Sequence, residues 1–375
     1  MFGITIFSRM TALANAHGAI NLSQGFPDFD VSADLIRKVH EHMCAGRNQY
    51  APMQGVPVLR EKIAEKVYRL YQAEYDPDSE ITITSGATEA IFDAISAVVH
   101  PGDEVIVFEP AYDSYVPAIR LCTGIPVFIK LHHPDYHINW DEVADVVNSK
   151  TRLIILNSPH NPTGSVLTEK DIAALIAIVR NTDILILSDE VYEHIIFDGE
   201  VHESMCRHPE LFQRSFVVCS FGKMVHATGW KIGYCLAPKT LSQEFLKIHQ
   251  YVTFASNTPV QYALADYISV QEAYSGLSAF YQDKRDFFRA LISRSQFKIL
   301  PCRGSYFQLL DYSNLSDEPD EAFAMRLTTE FGVAAIPPSV FYQDKVDHRV
   351  LRFCFAKTSQ TLEAAAERLC SIRYL

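Results

Sequence analysis

Lys223 and Lys231 lie eight residues apart in "SFGKMVHATGWK", where an apolar run gives way to glycines. A lysine amine that has shed its proton is a nucleophile and a base, whereas one that stays charged is a counter-ion for an anion. Other groups follow apolar runs in the same way. Asp189 and Tyr192 come after "LILS", in "DEVY", and Asn161 comes after "LIIL", in "NSPHNPTG", where Asn161-Pro162 makes a turn and presents an amide. An aspartate at the end of a buried strand is costly unless it is paired, although it can also cap a helix. Gly86, Ala87 and Thr88, with Ser85 before them, open a helix with small residues. Such a start offers free N–H groups and the positive end of a helix dipole to a phosphate. Tyr112, in "EPAYDSY", can stack on a flat ring or pack in a core.

A phosphate cradle, a ring-facing tyrosine, an amide, a carboxylate, a phenol and a lysine together match one ligand, pyridoxal 5′-phosphate. Lys223 then forms the Schiff base and Asp189 keeps the pyridine nitrogen protonated. Tyr192 and Asn161 suit the ring oxygen, and Lys231 neutralises the phosphate held by the helix start.

These residues share an address because of the elements that carry them. "ITITSG" (81–86), "EVIVFEP" (104–110), "RLIILNSP" (152–159), "DILILSDE" (183–190) and "FVVCSFGK" (216–223) are short β-rich runs, several of them continuously apolar. That texture suits parallel strands covered on both faces. Helical spacing fills the intervals, as in "GATEAIFDAISAVVH" and in "TEKDIAALIAIVRNT", where Thr168 and Asp171 form a capping-box pattern. The alternation predicts a doubly wound α/β domain, and such sheets bind ligands outside the carboxyl ends of their strands. After about residue 285, "DEAFAMRLTTEFG" and "TLEAAAERLCSI" flank "SYFQLL" and "RFCFA", which reads as a smaller α+β lobe. The first thirty or so residues show no clear periodicity and read as an arm. The expected division is 1–35 for the arm, as part of the small domain, 36–284 for a large domain and 285–375 for a small one.

The 375 residues exceed what one core readily serves, in line with that division. A net charge of −12 argues against nucleic acid or an anionic membrane as partner. Eight scattered cysteines without a C-x-x-C pair fit a reducing compartment, and no signal peptide or membrane span is read, so the expected location is cytoplasmic. There is no G-x-G-x-x-G, no Walker loop and no G-x-S-x-G elbow. "HHPDYH" (132–137) reads as a solvated loop, and no metal is expected.

The chain resembles the class I/II aminotransferases of fold type I, and within them the bacterial methionine aminotransferases and the kynurenine/glutamine transaminases. "INLSQGFPDF", "NQYAPMQGVPVLRE", "GATEA", "SPHNPTG", "SDEVYEHI", "SFGKMVHATGWKIGYC", "VAAIPPSVFY" and "LRFCFAK" carry the likeness over nearly the whole length. The resemblance implies a ping-pong transfer from an amino acid to a 2-oxo acid, with Lys223 as cofactor-bearing lysine and proton carrier. It adds Ser220 to the phosphate site and Tyr50 from the partner subunit of a homodimer with shared sites. Arg352 would clamp the substrate α-carboxylate, assisted by Asn161 and the Gly25 backbone. Phe341, and Phe254 from the partner, would line the side-chain pocket. Gly222 and Lys231 stand where many members of the wider class have Ser or Thr and Arg, as in the kynurenine and methionine branch. A carbon–sulfur β-lyase on the same fold is the alternative. A ligand-sensing regulator is more remote, since no basic segment precedes "INLSQGFPDF" and the net charge is negative.

Overall fold

The structure, a computed structural model, describes residues 5–374. Its centre is a seven-stranded sheet in the order Ile81–Thr84, Gly233–Leu236, Ser215–Ser220, Leu185–Asp189, Thr151–Asn157, Glu104–Glu109, Ile125–Lys130. The five expected strands are all present. Gly233–Leu236 runs antiparallel to both its neighbours, and the other pairings are parallel. Neither Gly233–Leu236 nor Ile125–Lys130 was expected. The first has only four residues directly after the Lys231 turn. The second is an edge strand with Pro126 inside it, and an edge is where a sheet tolerates a proline.

Alternate strand residues enter two separate cores. Ile106, Ile154, Ile186 and Val217 join one, while Val107, Leu153, Leu187 and Phe216 join the other. A sheet apolar on both faces needs helices on both, which explains the continuous apolar runs. Helix Ala87–Val98 covers one face, and helix Glu169–Val179 starts at the expected box, with Thr168 accepting from the Asp171 amide and Asp171 accepting from Thr168 N at 2.7 Å.

The C-terminal part has a three-stranded antiparallel sheet of Lys298–Ile299, Phe307–Asp311 and Val350–Cys354, with helices Asp320–Thr329 and Ser359–Ser371. Helix Leu277–Ile292 runs straight through residue 285, so the change in sequence texture falls inside an element. The N-terminal stretch departs from expectation. Ile6–His17 is a helix, capped by the Thr5 side chain and closed by Gly18 at φ 60°. Only Met10 and Ala14 of it are fully buried, which is why it left no clear periodic trace. Strand Ile20–Asn21 then pairs in parallel with Val333–Ala334, fastening the chain's beginning to its last third.

Candidate active site

A cavity of about 240 Å³ opens at the carboxyl ends of the central strands. Twelve residues singled out from sequence line it: Gly25, Gly86, Ala87, Thr88, Tyr112, Asn161, Asp189, Tyr192, Ser220, Lys223, Lys231 and Arg352. Strand order explains the convergence, because each apolar run ends at the same rim and delivers its next polar residue there.

Asp189 closes strand Leu185–Asp189 and is almost wholly buried. Its Oδ2 accepts from the Tyr115 hydroxyl at 2.6 Å and its Oδ1 from the Val191 amide at 3.3 Å. Burial raises its pKa to about 6 despite the opposing Tyr115 bond. Among the described residues no cation bonds this carboxylate, and a protonated ring nitrogen would supply one. Tyr192, one short turn further on, is buried, and burial holds its phenol well above the ordinary range.

Strand Ser215–Ser220 leads into the short helix Phe221–Met224, which carries Lys223. Lys223 Nζ donates to the Tyr306 hydroxyl at 2.7 Å and to the Gly25 carbonyl at 3.2 Å. Burial lowers its pKa to about 8, with Arg352 and Lys231 pushing the same way. An amine so placed is available in its neutral, nucleophilic form near neutral pH.

The cradle is built from helix Ala87–Val98 and Lys231. Gly86 precedes the helix at φ +80°, and no side chain caps the first turn, so its leading amides are free. A Cβ on Gly86 would stand 3.3 Å from Lys231 Nζ and crowd the gap between cation and helix start. Lys231 reaches this position from a left-handed backbone, φ 54°. A cation facing free amides across a glycine fits a phosphate. Tyr112 stands beside it, its phenol raised by burial against a hydrogen bond from Thr88.

Arg352 sits in strand Val350–Cys354, fully buried. Its terminal nitrogens donate to the Asn161 side-chain oxygen and the Ser23 carbonyl, both at 2.8 Å, and its Nε has no partner. Burial lowers its pKa to about 10. A buried guanidinium that contacts only neutral groups is costly, and a carboxylate relieves that cost. Phe307, Phe7 and Phe341 surround it, with ring centres 3.9, 5.3 and 5.8 Å from the guanidinium carbon.

Three sequence-derived residues lie apart from the cavity lining. Phe341 is buried beside Arg352, one layer back. Tyr50 and Phe254 are exposed and meet edge to face at 5.5 Å, away from their own chain's cavity. Sequence reasoning missed Tyr115, Tyr306, Phe307 and Phe7. The "SYFQLL" strand carried the signal for two of them, since adjacent aromatics, Tyr306 and Phe307, follow Gly304-Ser305. Phe7 was hidden in the stretch without periodicity. In "HHPDYH", His132 stacks on His137 at 5.0 Å and bonds Glu142, while His133 stacks on His348.

The sequence profile of aminotransferase class I and II matches residues 17–369. The chain belongs to that family. Members depend on pyridoxal 5′-phosphate, and the donor set above fits that group. This aminotransferase is 52% identical over 368 residues to the methionine aminotransferase of Escherichia coli K12, covering 98% of this chain and 95% of that one. It is 32% identical to the kynurenine–oxoglutarate transaminase of Dictyostelium discoideum, covering 99% and 95%. A solved Escherichia coli structure described as having a methionine aminotransferase function superposes with a TM-score of 0.97 at 51% identity, covering 99% and 98%. The fold is that of the fold type I aminotransferases, and the enzyme is a transaminase.

Proposed function

We propose that the aminotransferase moves the amino group of methionine, aromatic or similarly apolar amino acids to a 2-oxo acid, with pyridoxal 5′-phosphate held on Lys223. The observation that carries this is Arg352, a buried guanidinium with neutral partners and a free Nε, in the same cavity as the desolvated Lys223. The bound cofactor supplies an aldehyde and an electron-withdrawing ring. Asp189 would hold a proton at the ring nitrogen, while Tyr192 and Asn161 would bond the ring oxygen. Gly86, Ala87, Thr88, Ser220 and Lys231 would hold the phosphate, and Tyr112 would cover the ring. Arg352 orients the amino acid by its α-carboxylate, with Asn161 and Gly25 beside it. Once displaced by the substrate amine, Lys223 would take the proton from the substrate Cα and carry it to the cofactor's C4′ carbon. Its lowered pKa lets it act as a base, and Tyr306 and the Gly25 carbonyl give the freed amine somewhere to rest.

The cations lining the cavity are Lys223, Lys231 and Arg352, each already engaged, while rings surround the guanidinium. Among the described lining residues that leaves no cation for a distal carboxylate and favours an apolar side chain. The relatives named for methionine and kynurenine point the same way. Tyr50 and Phe254, exposed side by side, would serve the neighbouring site of a homodimer, Tyr50 at the phosphate and Phe254 at the side-chain pocket. The parallel pairing of Ile20–Asn21 with Val333–Ala334 supports grouping residues 1–35 with 285–375 around the 36–284 domain. No described helix is long and apolar enough to cross a membrane, and we place the enzyme in the cytoplasm.

The test is a panel of amino donors against several 2-oxo acids on purified enzyme. Turnover that needs an acceptor, is ping-pong and is best with methionine or aromatic donors is expected. Acceptor-independent release of ammonia from β-substituted amino acids as the main activity would establish a β-lyase instead.

A further inference from the structure

Beneath the cradle helix lies a buried charged cluster that the transfer reaction does not employ. Glu89 and Asp93 stand one turn apart on helix Ala87–Val98, and His249 faces them from helix Lys239–Val252. His249 Nδ1 lies 2.7 Å from Glu89 Oε1 and 3.5 Å from Asp93 Oδ2, and its Nε2 lies 2.9 Å from the Met53 carbonyl. Glu89 spends its other oxygen on the Ser85 amide at the helix start, a place that favours a carboxylate. Carboxylates and carbonyls only accept, so both ring nitrogens donate and His249 is an imidazolium. The charge states agree with that geometry. The acidic groups push His249 up to about 9, and burial pushes Asp93, whose oxygens have no hydrogen-bond partner, up to about 6. Phe245, stacked at 6.2 Å, adds no charge.

The two ends of this bridge lie in different functional parts. Glu89 anchors Ser85, the residue just before Gly86 of the phosphate cradle. Met53 belongs to "NQYAPMQ", whose Tyr50 projects outward and is 84% exposed. That loop is pinned on either side of Tyr50, by Thr258 Oγ1 donating to the Gln49 carbonyl at 2.7 Å and by His249 donating to the Met53 carbonyl.

We propose that the Glu89–His249 bridge is a strut between the two active sites of a dimer, tying the Tyr50 loop that serves the neighbouring phosphate to the phosphate cradle of its own chain. The proposal rests on the shared-site reading given above. His249 is then a positioning residue. Removing it loosens the cradle within one chain and releases Tyr50 from the site next door.

The test is a double-mutant cycle on binding of pyridoxamine 5′-phosphate, which needs no covalent bond, followed by its fluorescence. Dissociation constants are measured for the unaltered enzyme, Tyr50→Phe, His249→Asn and the double variant. Both single variants should bind more weakly. Part of the His249 effect passes through Tyr50, so His249→Asn should cost less in the Tyr50→Phe background, by at least about two-fold, the lower end for residues in one network. Losses that simply multiply would overturn the strut. Should Tyr50→Phe alone leave binding unchanged, the shared-site reading fails, which is a separate result. If His249→Asn does not fold, Glu89→Gln takes its place in the cycle at nearly constant size. The three acidic and imidazole ligand atoms lie within 4.8 Å of one another. A stoichiometric metal whose chelation reproduces the His249→Asn loss would therefore also overturn the proposal.

Discussion

Two buried arginines in this enzyme have opposite surroundings. Arg285, on helix Leu277–Ile292, makes a two-pronged bond to Asp198 at 2.6 and 2.7 Å, reaches Asp286 at 2.8 Å and donates to the Cys302 carbonyl. Arg352 meets an amide oxygen, a backbone carbonyl and rings. The acidic partners hold Arg285 above the ordinary range, whereas burial lowers Arg352 to about 10. Two lysines repeat the contrast. Lys66 bonds Glu193 at 2.5 Å and Tyr234 at 2.8 Å in a closed core, while among the described residues Lys223 hydrogen-bonds a phenol and a carbonyl and no acid. A buried ion with its counter-charge supplied by the chain holds the fold together. One without it has a place ready for a ligand's charge.

The lysines give the largest expected difference. Lys223→Ala should lower transamination by at least roughly 10²–10⁴-fold, the usual contribution of a positioned base, because the covalent link is lost together with the base. Its folded stability should change little. Lys66→Met should do the reverse. It leaves Glu193 buried without its cation at a cost of roughly 3–5 kcal/mol, read as a lower denaturant midpoint, while per-molecule activity below that midpoint persists. Equal effects of both substitutions on both readouts would erase the contrast.

The arginines come next. Arg352→Ala should cost roughly 2–5 kcal/mol in kcat/KM, thirty-fold to several-thousand-fold, for every α-amino acid tested. Arg352→Lys should restore only part, because an ammonium cannot make two parallel bonds to a carboxylate. An amine donor lacking the carboxylate should be nearly indifferent to either change. Arg285→Ala should instead lower stability by about 1–3 kcal/mol, since Asp198 can turn to water when its partner is gone. Its kcat/KM should stay close to normal.

Lys223 also sets a pH dependence. Its pKa is lowered, so the neutral amine dominates above about 8 and the ammonium below. Capture of the cofactor aldehyde by the stripped enzyme should slow about ten-fold per unit below that value and level off above it. A midpoint near the ordinary 10.5 would mean that the amine is not desolvated. The smallest effect concerns donors. A pocket of rings separates side chains differing by one methylene by only about 1–3 kcal/mol. Methionine and its homologue with one more methylene should therefore stay within about 200-fold in kcat/KM.

Legibility from sequence follows the same contrast. Asp189, Asn161 and Lys223 were readable because Asp189 ends an apolar strand and the other two follow within a few residues of one, where strand polarity and sheet rules fix the address. Thr168–Asp171 was readable because a cap is local. Helix Ile6–His17 was not, as it buries just two side chains fully and signals no face. Tyr115 and Tyr306 were not either. Their roles depend on hydroxyls that meet Asp189 and Lys223 across 74 and 83 residues of chain. Nothing in local spacing announces such a meeting. Arg352 and the pair Tyr50–Phe254 emerged through resemblance alone, since their neighbours come from distant segments.

The account stands or falls on which lysine holds the cofactor. Reduction of the purified, cofactor-loaded enzyme with borohydride, followed by peptide mass mapping, measures this directly. The pyridoxyl phosphate mass should sit on the peptide containing Lys223 and be absent from that of Lys231, which stays free to face the phosphate. Label on Lys231 or Lys66, or none on any lysine, would contradict the assignment.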